Sequence, residues 1–252
     1  VLIGAHVPSG DPIAEAAARS AEVVQVFLSN PQSWRAPLER DDALELQHAG
    51  VPIFVHAPYL INVVSPNNRV RIPSRTILID TVAASEAIGA AGVVVHGGHV
   101  TGDGTFEDGL ERWRKALEVI ESPIPVLIEN TAGGDNAMAR RVEHLARLWE
   151  TIGDLGVGLC LDTCHAWASG ERLDGLVGRV MAATGRVDLV HVNDSRDPIG
   201  SRRDRHANLG EGEIPPDQLI QVVVEARAPA VVETPGGADA QAADIAWIRS
   251  RL

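Results

Sequence analysis

The chain has 252 residues, 45% of them hydrophobic, enough for one large α/β domain with a sizeable core. No apolar run is long enough to span a membrane, and the opening VLIGAHVPSG lacks the basic start and long apolar stretch of a signal peptide; a soluble cytoplasmic protein is expected. The net charge of −12 argues only weakly against nucleic acid as a partner, because positive charge is densest from Arg196 to Arg205 and bound cations would reverse the local sign inside a site.

Taken in order, the chain repeats one unit: a short β-branched strand, a loop, then a helical pattern. Strand 1–7 is followed by a helix from Asp11-Pro12 to about Ser20, and strand 23–28 by a long loop and a helix at about 41–49. Strand 53–55 runs into His56-Ala57-Pro58-Tyr59-Leu60, and Pro73 opens a helix ending near Gly89. Strand 93–95 runs into His96-Gly97-Gly98-His99, with a helix over roughly 106–120. Strand 126–128 runs into Glu129-Asn130, with a helix at about 137–152. Strand 156–161 runs into Asp162-Thr163-Cys164-His165, with a shorter helix at about 173–184. Strand 189–193 opens the long loop to Ile214, and Pro215 starts its helix. Strand 230–232 runs into Glu233-Thr234-Pro235, and a last helix covers about 240–251. Eight alternating units without a linker predict a single (β/α)₈ TIM barrel over residues 1–252. A doubly wound open sheet is the competitor, but GAHVPSG is a poor match to the glycine-rich phosphate turn it would carry after its first strand.

Six ionisable residues, His56, His96, Glu129, Asp162, His191 and Glu233, sit where strands three to eight end. In a barrel those ends meet at the face that carries the chemistry. Three carboxylates crowded there would repel strongly unless cations lay between them. The loop LVHVNDSRDPIGSRRDRHANLGEGEI adds Asp204 and His206, two apart and therefore on one side of an extended backbone. His165 joins them if the chain turns just after Asp162. Five histidines and four acids suit zinc or an ion of similar size such as manganese or iron, and nine ligands imply two or three ions bridged by Glu129. Several ions together are a usual clamp for a phosphoryl group. Cys160 and Cys164 are expected as buried, reduced thiols.

These residues lie in motifs that resemble those of the endonuclease IV family, metal-dependent apurinic/apyrimidinic endonucleases of the xylose isomerase-like barrels. The motifs are GAHV, NPQSWRAP, HAPYLIN, IENTAG, LDTCHAWASG, HVNDS, GSRRDRHANLGEGEI and VVETPG, and they run almost from end to end. The resemblance implies three zinc ions, with Mn²⁺ or Fe²⁺ as alternatives at one or more sites. His56, His96 and Glu129 would hold the first. Glu129, Asp162, His191 and Glu233 would hold the second, and His165, Asp204 and His206 the third. Glu129 is the implied catalytic residue. The implied reaction is hydrolysis of the phosphodiester 5′ to an abasic site, leaving a 3′-hydroxyl and a 5′-deoxyribose phosphate.

The implied partner is double-stranded DNA with abasic or 3′-blocked damage, met by a monomer in the bacterial cytoplasm. Trp34, Arg35, Tyr59 and Leu60 are expected on loops at the metal-bearing face, with Arg35, Tyr59 and Leu60 entering or wedging the helix. Arg196, Arg202 and Arg203 are the candidate phosphate contacts. Gly97 stands where many members carry proline, so a looser loop is expected there, and His6 is expected as a polar barrel-floor residue. Two readings from other classes remain. A sugar isomerase or epimerase of the same barrel has no obvious need for His165, Asp204 and His206. A binding module that keeps metals for structure has no need for an intact ligand set.

Overall fold

The structure, a computed structural model, describes every residue except Asp103 and Asp135. Eight short apolar runs pair in parallel and close on themselves: β1 (Ile3–His6), β2 (Val24–Val26), β3 (Ile53–His56), β4 (Gly92–His96), β5 (Val126–Glu129), β6 (Gly158–Asp162), β7 (Leu189–His191) and β10 (Ala230–Val232). Each of the first seven pairs with the next, and β10 joins β7 to β1, so no edge remains unpaired. The predicted (β/α)₈ barrel is the observed fold. Two further strands, β8 (Asp194–Ser195) and β9 (His206–Ala207), form an antiparallel ribbon in the loop after β7.

The helices are α1 (Pro12–Arg19), α2 (Ala43–Gln47), α3 (Asn68–Ala87), α4 (Phe106–Leu117), α5 (Val142–Ile152), α6 (Thr163–Ser169), α7 (Leu176–Thr184), α8 (Pro216–Ala226) and α9 (Gly237–Arg249). Three starts differ from expectation. α3 begins five residues before Pro73, because Asn67 caps it by accepting from the Arg69 amide, and the proline forfeits only one bond of a long helix. α5 begins at Val142, not near Ala137. Residues 137–139 are drawn off into cross-loop bonds, Met138 N to Gly98 O at 2.9 Å and Thr131 N to Ala139 O at 3.2 Å. α6 has no counterpart among the expected helices, and it supplies the turn that His165 needs after Asp162.

The core has two parts. A large shell of aliphatic side chains fills the space between barrel and helices. A smaller cluster, Val23, Phe54, Val94, Leu127, Cys160, Leu189 and Val231, packs separately and plugs the barrel. On the first strand the matching position is Gly4, where an added Cβ would lie 1.6 Å from the Val23 carbonyl oxygen, so only glycine fits. Both cysteines are buried and free, as expected. No helix among the described residues is long and apolar enough to cross a membrane.

Candidate metal centre

Side chains on a strand alternate with period two, so the residue two beyond each plug residue also faces inward, one layer nearer the C-terminal mouth. Those residues are Gln25, His56, His96, Glu129, Asp162, His191 and Glu233, and His6 follows Gly4 by the same step. Every strand thus delivers one polar side chain to one layer. Six are the expected strand-end residues. His6 and Gln25 complete the ring, and they pair directly in register across β1 and β2. His6 therefore lies at the mouth, not at the floor: its Nδ1 is 3.1 Å from Glu233 Oε1.

Glu129 is the hub. It is fully buried, with Oε2 lying 3.1 Å from His56 Nε2 and 3.2 Å from His96 Nε2. Its Oε1 lies 3.0 Å from His191 Nδ1 and 3.2 Å from His165 Nδ1. Donor atoms of His56, His96 and Glu129 lie within 4.8 Å of one another, as do those of Glu129, Asp162, His191 and Glu233. The first two implied ligand sets are therefore assembled side by side and share Glu129.

The third set is built by α6 and the ribbon. Asp162 caps α6, its Oδ1 accepting from the His165 amide at 2.6 Å, and the helix carries His165 back over the barrel mouth. Asp204 reaches both imidazoles, with Oδ2 3.1 Å from His165 Nε2 and Oδ1 3.0 Å from His206 Nε2. Asp162, His165 and His206 form one group within 4.8 Å, and Cys164, Asp204 and His206 another. Cys164 is an addition to the expected donors. Burial, then the charge of Asp162, pushes its thiol up to about 12, so it sits there as a neutral thiol.

The loop that carries Asp204 and His206 is held by a buried knot. Asp194 is fully buried and accepts four backbone N–H bonds, from Ser195, Gly210, Gly212 and Ile214, at 2.7 to 3.0 Å. Asp194→Asn replaces one accepting oxygen with a donor and leaves two of those amides without a partner. We expect a loss on the order of 3 kcal/mol in urea unfolding. An unchanged midpoint would show that the knot contributes nothing to stability.

The residues fit cations. His206 Nε2 is buried without a hydrogen-bond partner although it faces two carboxylates, Asp204 at 3.0 Å and Asp162 at 3.8 Å. The remaining ring nitrogens are already engaged. His56 Nδ1 lies 2.7 Å from the Ala57 carbonyl, His165 Nδ1 2.8 Å from that of Asn130, and His206 Nδ1 3.3 Å from that of Glu233. Each bond occupies Nδ1 and turns Nε2 inward, where it would lie bare with a cation bound, as metal-ligating histidines require. The electrostatics agree. Burial opposes ionisation of Glu129, but the charges of His191 and His96 outweigh it and hold the carboxyl well below its usual range. Burial raises Asp162, so without a cation this acid resists ionising.

Loop residues at the mouth fall out unevenly. Trp34 and Arg35 are exposed on the loop after β2. Tyr59 is half exposed, but its ring lies 5.5 Å from His56 edge-on and stacks on His96 at 5.9 Å, so it walls the site as well as facing solvent. Leu60 is partly exposed beside it. Arg196, Arg202 and Arg203 are exposed. Asp197 draws on this loop: Arg205 grips it with two bonds and Arg203 approaches it at 3.6 Å. His99 is exposed and joins none of the donor groups among the described residues. The loop after His96 is not loose. Gly97 N donates to Glu129 O at 3.0 Å, which proline could not do, and buried Trp113 donates to Gly97 O at 2.8 Å.

Comparison with known proteins agrees with this architecture. The family described as xylose isomerase-like TIM barrel matches residues 13–251. The probable endonuclease 4 of Mycobacterium tuberculosis (strain ATCC 25177 / H37Ra) is 59% identical over 251 residues, covering 100% of this chain and 99% of that protein. Endonuclease IV from Thermus thermophilus superposes with a TM-score of 0.86 at 31% identity, covering 99% of this chain and 98% of that one. A D-tagatose 3-epimerase-like protein superposes with a TM-score of 0.81 but is 17% identical, covering 99% of this chain and 96% of that one, a likeness of fold alone. With its motifs, its barrel and these relatives in agreement, the chain belongs to the endonuclease IV family of xylose isomerase-like TIM barrels.

Proposed function

We propose that the protein is a zinc-dependent apurinic/apyrimidinic endonuclease that hydrolyses the phosphodiester 5′ to an abasic site, leaving a 3′-hydroxyl and a 5′-deoxyribose phosphate. The observation that carries this reading is the third donor group, His165, Asp204 and His206, set against two groups that share Glu129. A sugar isomerase of the same barrel has no obvious use for that third group. Three zinc ions are expected, with Mn²⁺ or Fe²⁺ able to take one or more places. Bound ions of this kind clamp a phosphoryl group and offset the charge that builds on its oxygens.

The chain's own residues supply the rest. The carboxylate of Glu129 keeps four imidazoles in one constellation. Tyr59 covers His56 and His96, shielding that side of the site from bulk water. On this reading Arg35, Arg196, Arg202 and Arg203 would meet phosphates, and Arg35, Tyr59 and Leu60 would enter or wedge the helix at the gap left by a missing base, with Trp34 beside Arg35 on the loop after β2. Incision of a duplex carrying one abasic analogue, with and without prolonged chelation, tests the function. Elemental analysis of gently purified protein should find more than one equivalent of transition metal. A content near zero with full activity would refute the metal dependence.

DNA contact is the demanding part of this proposal for a chain with a net charge of −12. Binding should weaken steeply as salt rises, and replacing Arg35 or Arg196 by alanine should make the slope of log affinity against log salt shallower by roughly one. Leu60→Ala removes no charge, so the slope should stay. It should instead lose discrimination between abasic and intact duplex. Tyr59→Ala is a less clean test, because that ring also walls the metal site. Equal loss of affinity for both duplexes in Leu60→Ala would reduce Leu60 to loop packing.

A further inference from the structure

Gln25, on β2, is fully buried against the donor cluster and offers no metal ligand of the expected kind. The orientation of its amide is forced. Its Nε2 lies 2.7 Å from Glu233 Oε1, and a carboxylate can only accept, so the nitrogen faces Glu233 and donates. The amide oxygen then faces His191, whose Nε2 is 2.9 Å away. An oxygen at that position accepts, so His191 Nε2 carries the hydrogen. With an ion bound, Nδ1 is left bare, pointing to Glu129 Oε1 at 3.0 Å and Glu233 Oε2 at 3.3 Å. In His56, His165 and His206 the corresponding bond is made by Nδ1, donating to a backbone carbonyl. His191 presents the opposite nitrogen, and a side chain holds it.

We infer that Gln25 is a positioning residue that selects the ligating nitrogen of His191 and the free oxygen of Glu233, and so sets the affinity of the ion shared by Glu129, Asp162, His191 and Glu233. The inference rests on reading the cluster as a metal centre. One amide fixes two ligands of the same ion, whereas the group of His56, His96 and Glu129 and the group on α6 and the ribbon do not touch it. Removing it should therefore weaken one ion and spare the others. Loss of such an orienting partner typically costs roughly 10–100-fold in metal affinity.

The test is Zn²⁺ binding to the intact protein, titrated against a competing chelator dye, for wild type, Gln25→Met and Gln25→Glu. Both replacements are close to glutamine in volume. Methionine removes both bonds, together with the contact of Nε2 to His6 Nδ1 at 2.9 Å. Glutamate keeps the acceptor for His191, but removes the donor to Glu233 and His6 and sets a second carboxylate against Glu233. In Gln25→Met, one equivalent should bind roughly 10–100-fold more weakly while the rest bind as in wild type. Gln25→Glu should fall between the two. Wild-type affinity for every equivalent in Gln25→Met would overturn the inference. So would weakening of all equivalents together, which would make Gln25 a support of the barrel. If Gln25→Met does not fold, Gln25→Glu decides alone, with selective weakening of one equivalent supporting the inference and no loss or uniform loss overturning it. A wild-type protein that takes up no Zn²⁺ would instead refute the metal centre itself.

Discussion

Glu129→Gln is expected to leave the barrel folded and to cost on the order of 10³-fold in incision of an abasic duplex. The change is nearly isosteric, and its site lies between the plug residue Leu127 and the open mouth, so packing is preserved. The chemistry is not. Glu129 presents two accepting oxygens to four imidazole nitrogens, all between 3.0 and 3.2 Å. An amide keeps one acceptor and turns two N–H groups toward nitrogens that must offer lone pairs to a cation. It also removes the negative charge that two neighbouring cations share. Circular dichroism should report a folded protein, and elemental analysis should report fewer bound equivalents. A mutant with a full metal complement and comparable turnover would show that Glu129 does not sit between ions.

Most of this site is legible in the sequence because a barrel converts a one-dimensional rule into a ring. An apolar strand that ends in an ionisable residue is unremarkable once, and informative when six strands do it in succession. The two members of the ring that spacing alone misses, His6 and Gln25, fall to strand boundaries. Reading β1 through Val7 and β2 through Leu28 puts both residues inside a strand, whereas the strands stop at His6 and Val26. The period-two rule finds them from the plug residues Gly4 and Val23. Other features have no local signal. α6 is too short for an apolar period to announce it, and Pro73 is a poor marker of a start that Asn67 already caps. The Asp194 knot depends on amides sixteen to twenty residues away, and the partial capture of Arg203 and Arg205 by Asp197 depends on a loop that folds back on itself. Such long-range pairings are set by tertiary structure, which residue spacing does not encode.

Removing the ions is expected to reverse how stability depends on pH between about 6.5 and 9. In the ion-free protein, burial alone would lower His206, but the neighbouring carboxylates of Asp204 and Asp162 prevail and raise it to about 9. His165 and His191 are raised well above 6.5 by the groups around them, again against burial. A raised histidine contributes stability that is fully present below its unfolded value, near 6.5, and lost as pH climbs through the folded one. These three histidines act in this sense, Asp162, raised by burial, also loses its contribution as pH climbs, and His6, lowered by burial, opposes them. Glu129, Glu233 and Asp204 are depressed, so their contribution is present above about 4 and lost only in acid. The chelated protein should therefore be most stable between about pH 4.5 and 6.5 and decline above it. The slope should approach roughly 1.4 kcal/mol per pH unit for each proton held more tightly in the folded state. The ion-loaded protein should behave oppositely, because cations need the imidazoles bare and bind more tightly as protons leave. Thermal melts of loaded and chelated protein at half-unit pH steps should run close together near pH 5 and diverge steadily above 6.5. A gap that stays constant up to pH 9 would mean that the imidazoles are not exchanging protons for cations, and the metal centre would have to be rebuilt on the carboxylates alone.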